Sequence, residues 1–309
     1  MKLVPRRTET ADDKAVMASL EPGANVILCA DDFAMSEGVS KGIEELALAR
    51  RLSATSAIVT LETWPAHARR LVALRAFLAT GLHLNLTLGA PLGPASSIAP
   101  DGEFGTNAAL LRRCLTGAAS HDEIAAEIDR QVALFEETTG FPPDFIDGHQ
   151  HVHTLPKVRK ALLTVLAARY TDYKPLVRDP WDNPLRILWR GAAAPKAIVI
   201  AKLAYNFGRA MRAAGFPTNH GFSGVSPFRL DIPYAQELGR FFLARGARHL
   251  VMCHPGYPDA ALAELDDVVA RRHHELDALF AAPCLDQAIW HVEARADRAP
   301  VKWTKALPV

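Results

Sequence analysis

The stretch DFIDGHQHVH, residues 144–153, enters through apolar Phe145 and Ile146 and then places histidine at alternate positions, His149, His151 and His153. Successive side chains of an extended chain point to opposite faces. A strand running through His153 therefore aims all three imidazoles along one edge, with Asp147 in the same parity. A carboxylate and up to three imidazoles are donors that Zn²⁺ and similar divalent ions accept. A histidine-rich turn ahead of a helix is the plainer alternative. The rest of the chain favours the metal or catalytic role, because it supplies matching partners.

Strand-like runs recur on both sides of this stretch. Residues 25–30 (NVILCA), 54–60 (ATSAIVT), 80–86 (TGLHLNL), 144–150, 174–178, a weak 219–223 and 248–254 (RHLVMCH) give about seven. Helical patterns fall between them at 37–51, 65–79, 121–139, 156–170, 195–214, 233–245 and 259–281, several opening on proline or an acidic residue as helix first turns prefer. That alternation predicts parallel βαβ construction. Its even spacing favours one (β/α) barrel, incomplete or distorted, over two domains. Residues 1–22 are expected to be an N-terminal extension and 23–309 the barrel. The longest irregular stretch, 88–106, is rich in Gly, Pro and Ser, and is expected to be a lid over the substrate pocket.

Composition narrows the class. Hydrophobic residues make up 49% and charged residues 22%, and 35 Lys plus Arg against 34 Asp plus Glu leave a net charge of +1, so no global field favours nucleic acid. Cys29, Cys114, Cys253 and Cys284 form no CxxC pair, and Cys29 and Cys253 sit in apolar runs where a thiol acts as a small hydrophobe. The first residues lack the apolar stretch of a signal peptide, and no segment has the roughly 20 apolar residues of a membrane span. The cytoplasm is the expected compartment.

Polar residues collect at the C-terminal ends of the strand candidates, the face that carries the site in a parallel barrel. Asp31 and Asp32 follow the first strand. Two adjacent carboxylates repel unless something cationic divides their tasks, and a metal would let one ligate while the other takes a proton from water. As a helix N-cap the pair is redundant, since Ser36 is better placed. His83 alternates with Leu82, Leu84 and Leu86, which turns it toward the barrel interior as a ligand or a satisfied core histidine. His254, before Pro255-Gly256, can overhang the pocket as a general acid.

Together the runs ADDFAMSEGVSKGI, GLHLNLTLGAPL, FIDGHQHVH and VMCHPGY resemble the YdjC-like carbohydrate deacetylases, which include chitooligosaccharide and hopanoid-biosynthesis deacetylases. The resemblance runs from about Val26 to Tyr257. It implies a distorted TIM-like barrel, one divalent ion (Zn²⁺ or Mg²⁺) and hydrolysis of the N-acetyl group of an amino sugar, whether an oligosaccharide or a glycolipid- or hopanoid-linked sugar. It further implies Asp32, His83 and His149 as metal ligands and Asp31 as the base. His254 is then the acid that protonates the leaving amine, and Asp147, His151 and His153 are supporting or substrate-contacting residues. Ala34 departs from the family, standing where glycine usually follows ADDF.

Two rivals remain. A binuclear amidohydrolase also uses an HxH motif, but on its first strand; here that strand ends in Asp-Asp. A non-catalytic sugar- or lipid-binding barrel would have no need to keep Asp31. The segment 174–212 carries eight Lys or Arg (174, 178, 186, 190, 196, 202, 209, 212) and is read mainly as a solvated helix face. Its alternative is a peripheral membrane patch, with Trp181, Trp189, Tyr205 and Phe207 nearby. A homodimer is left open.

Overall fold

The computed structural model describes residues 26–282, 285–293 and 299–303; the expected extension at 1–22 and Cys284 lie outside them. All seven strand candidates form strands: β1 (Val26–Phe33), β2 (Ala54–Ala57), β3 (Ala79–Leu84), β4 (Phe145–Gly148), β5 (Leu176–Val177), β6 (Phe222–Ser223) and β7 (His249–Cys253). They pair in parallel, in the order β5-β4-β3-β2-β1-β7-β6. The sheet curls into a half-barrel. Its edges approach each other where Val177 bridges Thr218 and donates to the Pro217 carbonyl at 2.8 Å. This is the distorted TIM-like fold the sequence predicts.

Strand β6 is short because glycine brackets it. Gly221 and Gly224 hold φ of 104° and 101°, and a Cβ on Gly224 would stand 2.0 Å from the Met252 carbonyl oxygen, so the chain leaves the ladder where no larger residue fits.

Helices surround the sheet: α1 (Glu37–Leu48), α2 (Trp64–Leu74), α3 (Asn107–Thr116), α4 (His121–Thr139), α5 (Pro156–Arg169), α6 (Pro184–Arg190), α7 (Ala194–Leu203), α8 (Phe207–Ala213), α9 (Tyr234–Phe241), α10 (Ala260–Leu265), α11 (Ala270–Ala281) and α12 (Leu285–Ala288). Side-chain oxygens of Ser36, Thr106, Ser120, Asn183 and Asp259 cap α1, α3, α4, α6 and α10 by accepting from first-turn amides. Two expected helices are split. The 195–214 pattern breaks at Asn206, whose φ of 62° ends α7 and starts α8, and the 259–281 pattern breaks at Asp266, extended at φ −146°.

The expected lid over the pocket is not what residues 88–106 form. Ile98, Ala99 and Phe104 are buried in the core, Glu127 accepts from the Leu92 amide at 3.1 Å, and Glu123 accepts from Ser97 at 2.7 Å. Those carboxylates pin the loop onto α4. The cavity wall begins only after it, at Asn107 and Ala108.

Outward strand residues such as Val26, Leu28, Leu82 and Ile146 pack under the helices, while Ile27, Cys29, Ala54, Ala79, Phe145, Leu176, Leu250 and Met252 fill the interior. Val301 and Trp303 plug the N-terminal end. The Trp303 indole donates to the Asp144 carbonyl at 2.5 Å, and Asp144 carboxylate oxygens accept from the Val301 and Thr80 amides at 2.9 Å. Gly81 is bare because Phe145 lies across it: a Cβ there would meet the ring at 2.6 Å.

Candidate metal and catalytic centre

Two-residue periodicity carries the interior from apolar to polar. Two or four residues beyond Ile27, Ala54, Ala79, Phe145, Leu176 and Leu250 stand Asp31, Ser56, His83, Asp147, Arg178 and His254, at the C-terminal ends of their strands. The register sets His83 directly against Asp147.

Strict alternation would separate Asp31 from Asp32. A register shift between Ala30 and Phe33 in β1, with Asp32 at φ 70°, breaks the alternation, and both carboxylates face one cavity. Ala34 follows at φ 69°, in the left-handed region that favours glycine.

Asp32 Oδ1 lies 3.2 Å from His83 Nε2 and 3.1 Å from His149 Nδ1. One donor atom from each of the three residues falls within 4.8 Å of the others, and all three are buried. His83 and Asp32 are held from behind. Asp147 Oδ1 is 2.6 Å from His83 Nδ1, which fixes the ring with Nε2 toward Asp32, and Ser56 donates to Asp147 Oδ2 at 3.0 Å. Arg272 donates to Asp32 Oδ2 at 2.7 Å, leaving Oδ1 turned to the histidines, and also binds Asp266 at 2.5 Å.

Burial opposes ionisation of Asp32, yet Arg272, His149 and His83 hold its carboxyl well below the usual carboxylate range. Burial alone would lower the His83 imidazole; the neighbouring Asp147, with Asp32 and Asp31, outweighs it and holds the ring up at about 10. The carboxylates therefore demand positive charge where the three donor atoms converge. Two imidazole nitrogens and one carboxylate oxygen around that point fit a divalent cation, and three protein ligands is the usual count at a catalytic zinc.

Arg178 was not foreseen as a site residue. It is fully buried beneath the metal donors, not part of a solvated helix face, and donates to both Asp31 oxygens at 2.6 Å and to Asp147 at 2.5 Å. Its signal was present in the sequence: it lies two residues past inward Leu176, at the end of a strand candidate. Arg190, from the same basic run, is also buried, against Asp182. A second cluster of donors, Cys29, Asp31 and Asp147, has the Arg178 guanidinium among them, 3.1 Å from the thiol sulfur.

The alternate histidines do not share one face. Strand β4 stops at Gly148, and residues His149–Thr154 form a 3₁₀ turn in which Gln150 and His151 hold φ of 50° and 60°. Only His149 reaches Asp32. His151 packs edge-on against Phe222 on the cavity wall, and His153 turns to the Arg178 carbonyl at 3.0 Å, with Phe207 against its ring. Burial keeps both neutral, His153 down at about 3 and His151 well below its ordinary value.

His254 faces the same cavity with its Nδ1 buried and unbonded within the chain. Its amide donates to Glu275 at 2.7 Å, and Phe228 meets its ring edge-on. Burial pushes the imidazole down to about 4, against the pull of Asp32 and Asp31. The cavity measures about 650 Å³. Its floor is Asp31, Asp32, His83, His149, His254 and Arg272, and its walls include Val199, Ile200 and Leu203 of α7 with Val225, Phe228 and Met252.

Known proteins similar to this chain are found by sequence and by fold. A crystal structure from Enterococcus faecalis V583, named for cellobiose-phosphate cleavage, superposes with a TM-score of 0.62 over 85% of this chain and 95% of its own at 20% identity, a likeness of fold. The mouse carbohydrate deacetylase is 29% identical over 84% of this chain and 89% of its own length. A chitooligosaccharide deacetylase of Klebsiella pneumoniae is 30% identical over 83% and 91%. The family model described as YdjC-like protein matches residues 25–287, which contain every residue of the floor and both guanidiniums that hold it. The chain belongs to the YdjC-like carbohydrate deacetylase family.

Proposed function

We propose that this metal-dependent deacetylase hydrolyses the N-acetyl group of an amino sugar, borne on an oligosaccharide or on a lipid, with Asp32, His83 and His149 as ligands of one divalent ion. The observation that carries the proposal is the convergence of those three donors at the polar floor of a largely apolar cavity. One carboxylate with two imidazoles suits Zn²⁺ better than Mg²⁺, which prefers oxygen donors. A single ion is favoured over a binuclear centre because Arg178 occupies the neighbouring donor cluster.

When bound, such an ion polarises an amide carbonyl and lowers the pKa of water toward ~7. The chain supplies the rest. Asp31 takes the proton of the attacking water, its carboxylate held in one orientation by the Arg178 fork. Asp147 and Arg272 keep His83 and Asp32 turned inward. His254 presents its free Nδ1 for delivery of a proton to the leaving nitrogen, which cannot depart as an amide anion. Burial keeps the ring neutral at rest, so the proton it passes to the leaving nitrogen is the one Asp31 has taken from the attacking water.

The test is acetate release from free, oligomeric and lipid-linked N-acetylated sugars by protein loaded with Zn²⁺, Mg²⁺, Co²⁺ or Mn²⁺, with elemental analysis beside it. One ion per chain and release that chelation abolishes are expected. Two ions per chain, or no acetate from any acetylated amino sugar, would overturn the proposal.

A further inference from the structure

Helices α6 and α7 present an apolar surface to solvent next to the cavity. On α6, Leu185, Leu188 and Trp189 stand at i, i+3 and i+4, with Leu185 75% and Trp189 77% exposed. On α7 and just beyond it, Val199 is 59% and Tyr205 61% exposed. The two helices pack on each other, so these side chains belong to one region. Large apolar side chains clustered in this way are unusual on a soluble surface unless something covers them.

Charge identifies the cover. From Asn183 to Leu230 the chain has seven Lys or Arg and no Asp or Glu, although its overall charge is only +1. Lys202 and Arg209 are exposed, and Arg186 is partly exposed on α6. Asp182, Asp179 and Asp231, just outside that stretch, pair with Arg186, Arg190, Arg212 and Arg229, so Lys196, Lys202 and Arg209 are the cations that meet no carboxylate among the described residues. Such cations on helices that also expose Trp, Tyr and Leu are complementary to an anionic bilayer, where aromatic rings sit at the headgroups and cations meet lipid phosphates. A protein partner would need only the apolar part; nothing there requires cations without a carboxylate. No helix among the described residues is long and apolar enough to cross a membrane, so the contact is with its surface.

We propose that α6 and α7, with the start of α8, dock the protein on an anionic lipid surface. Val199 lines the cavity and is exposed at the same time, and Ile200 and Leu203 of the same helix continue the apolar wall inward. The docking surface and the cavity thus share α7. If the deacetylase proposal holds, an acetylated sugar on a lipid anchor would reach the polar floor while its hydrocarbon stays against α7. Docking itself needs no substrate and is tested without one.

The experiment is co-sedimentation of the full chain with vesicles of phosphatidylcholine alone, or of equal parts phosphatidylcholine and phosphatidylglycerol, at low and raised salt. Binding to the anionic vesicles only, weakened by salt, is expected. Leu188→Ser/Trp189→Ser should reduce partitioning on the order of ten-fold or more. Lys202→Glu/Arg209→Glu should reduce it at least roughly twenty-fold at low salt, each cation near an anionic leaflet being worth about five-fold. Both variants should release acetate from a soluble acetylated sugar as the parent does, since none of the four side chains lines the cavity. Failure of the parent to bind anionic vesicles, or binding by both variants equal to the parent's, overturns the proposal. So does a stable dimer in solution that Trp189→Ser dissociates, because the occupant would then be a second copy.

Discussion

Replacing Arg178 with Met keeps most of the side chain's bulk and removes its guanidinium, leaving Asp31 and Asp147 buried without their shared cation. Breaking a buried ion pair from one side costs about 3–5 kcal/mol, because the partner charge remains in a medium that cannot solvate it. Unfolding entropy near 60 °C is about 2.1 cal/mol/K per residue, roughly 0.65 kcal/mol/K for a chain of this length, so Tm should fall by roughly 5–8 °C. Arg178→Lys keeps the charge but offers one nitrogen where the native fork uses two on Asp31 and one of those again on Asp147 and Cys29. A loss of about 1–2 kcal/mol is expected there, the worth of one or two charge-assisted hydrogen bonds. Calorimetry in chelator gives both values free of metal linkage. The decisive measurement is the double variant Arg178→Met/Asp31→Asn. Neutralising Asp31 removes one of the stranded charges, so the double variant should be more stable than the sum of the single losses by about 1 kcal/mol or more. A Tm for Arg178→Met within about 2 °C of the parent, given that size scaling, or strict additivity with Asp31→Asn, would refute the claim that Arg178 neutralises Asp31.

Asp31→Asn should retain metal and lose on the order of 10²-fold or more in kcat, the usual worth of a general base, whereas Asp32→Asn or His83→Ala should lose metal and recover partly in excess ion; elemental analysis beside acetate release distinguishes them, and equal metal loss in Asp31→Asn and Asp32→Asn would dissolve the division of roles. Buried Glu275, facing the His254 amide, Arg271, Arg272 and Glu237, is pushed by burial up to about 7 from 4.5. A raised folded-state pKa means the stability it contributes is full below about 4.5 and is lost as pH rises through about 7. Glu275→Gln should flatten that decline and gain of order 1–3 kcal/mol relative to the parent above pH 7, read as Tm against pH; parallel profiles would contradict it. At Ala34, φ 69° and buried, glycine relieves left-handed strain of about 1–2 kcal/mol and gives up a methyl and chain entropy of similar size, so Ala34→Gly should be neutral within about 1 kcal/mol. Ala57→Gly, in regular strand β2, should cost about 1–2 kcal/mol by the same accounting without the relief. Equal losses at the two positions, measured by denaturant melts, would mean that the backbone at Ala34 stores no strain.

The strands were legible because a parallel sheet covered on both faces needs short apolar β-branched runs, and Val26–Ala30 or His249–Cys253 can be little else. The convergence of Asp32, His83 and His149 was legible for a related reason: all three stand at strand ends, and in a barrel every strand ends on one face. Loop geometry was not. The parity argument that put His151 and His153 beside His149 holds only while the chain stays extended, and it fails at Gly148, where two successive residues take positive φ. The glycine-rich 88–106 segment similarly reads as mobile by composition, but Glu123 and Glu127 sit on α4 where its amides can reach them, a tertiary fact without local signature.

The two guanidiniums mark where reading by residue type fails for physical reasons. Arginine is the residue least expected in a core, so Arg178 was read as surface charge and Arg272 was not singled out, and each proves to be buried because a carboxylate pair needs it there. Position could have identified both. Arg178 shares the inward parity of Leu176, and Arg272 shares a helix face with Leu276 and Leu279, at i, i+4 and i+7, all buried. A charged residue in phase with an apolar face is costly unless something opposite repays its desolvation, so such a residue predicts a buried partner of opposite sign. In this chain Asp31 and Asp32 are those partners, one guanidinium to each: Arg178 grips both oxygens of Asp31, and Arg272 takes one oxygen of Asp32 and leaves the other facing the histidines. The difference in how the two are held, fully clamped against half free, is what divides adjacent and chemically identical carboxylates into a proton acceptor and a ligand in the proposed mechanism.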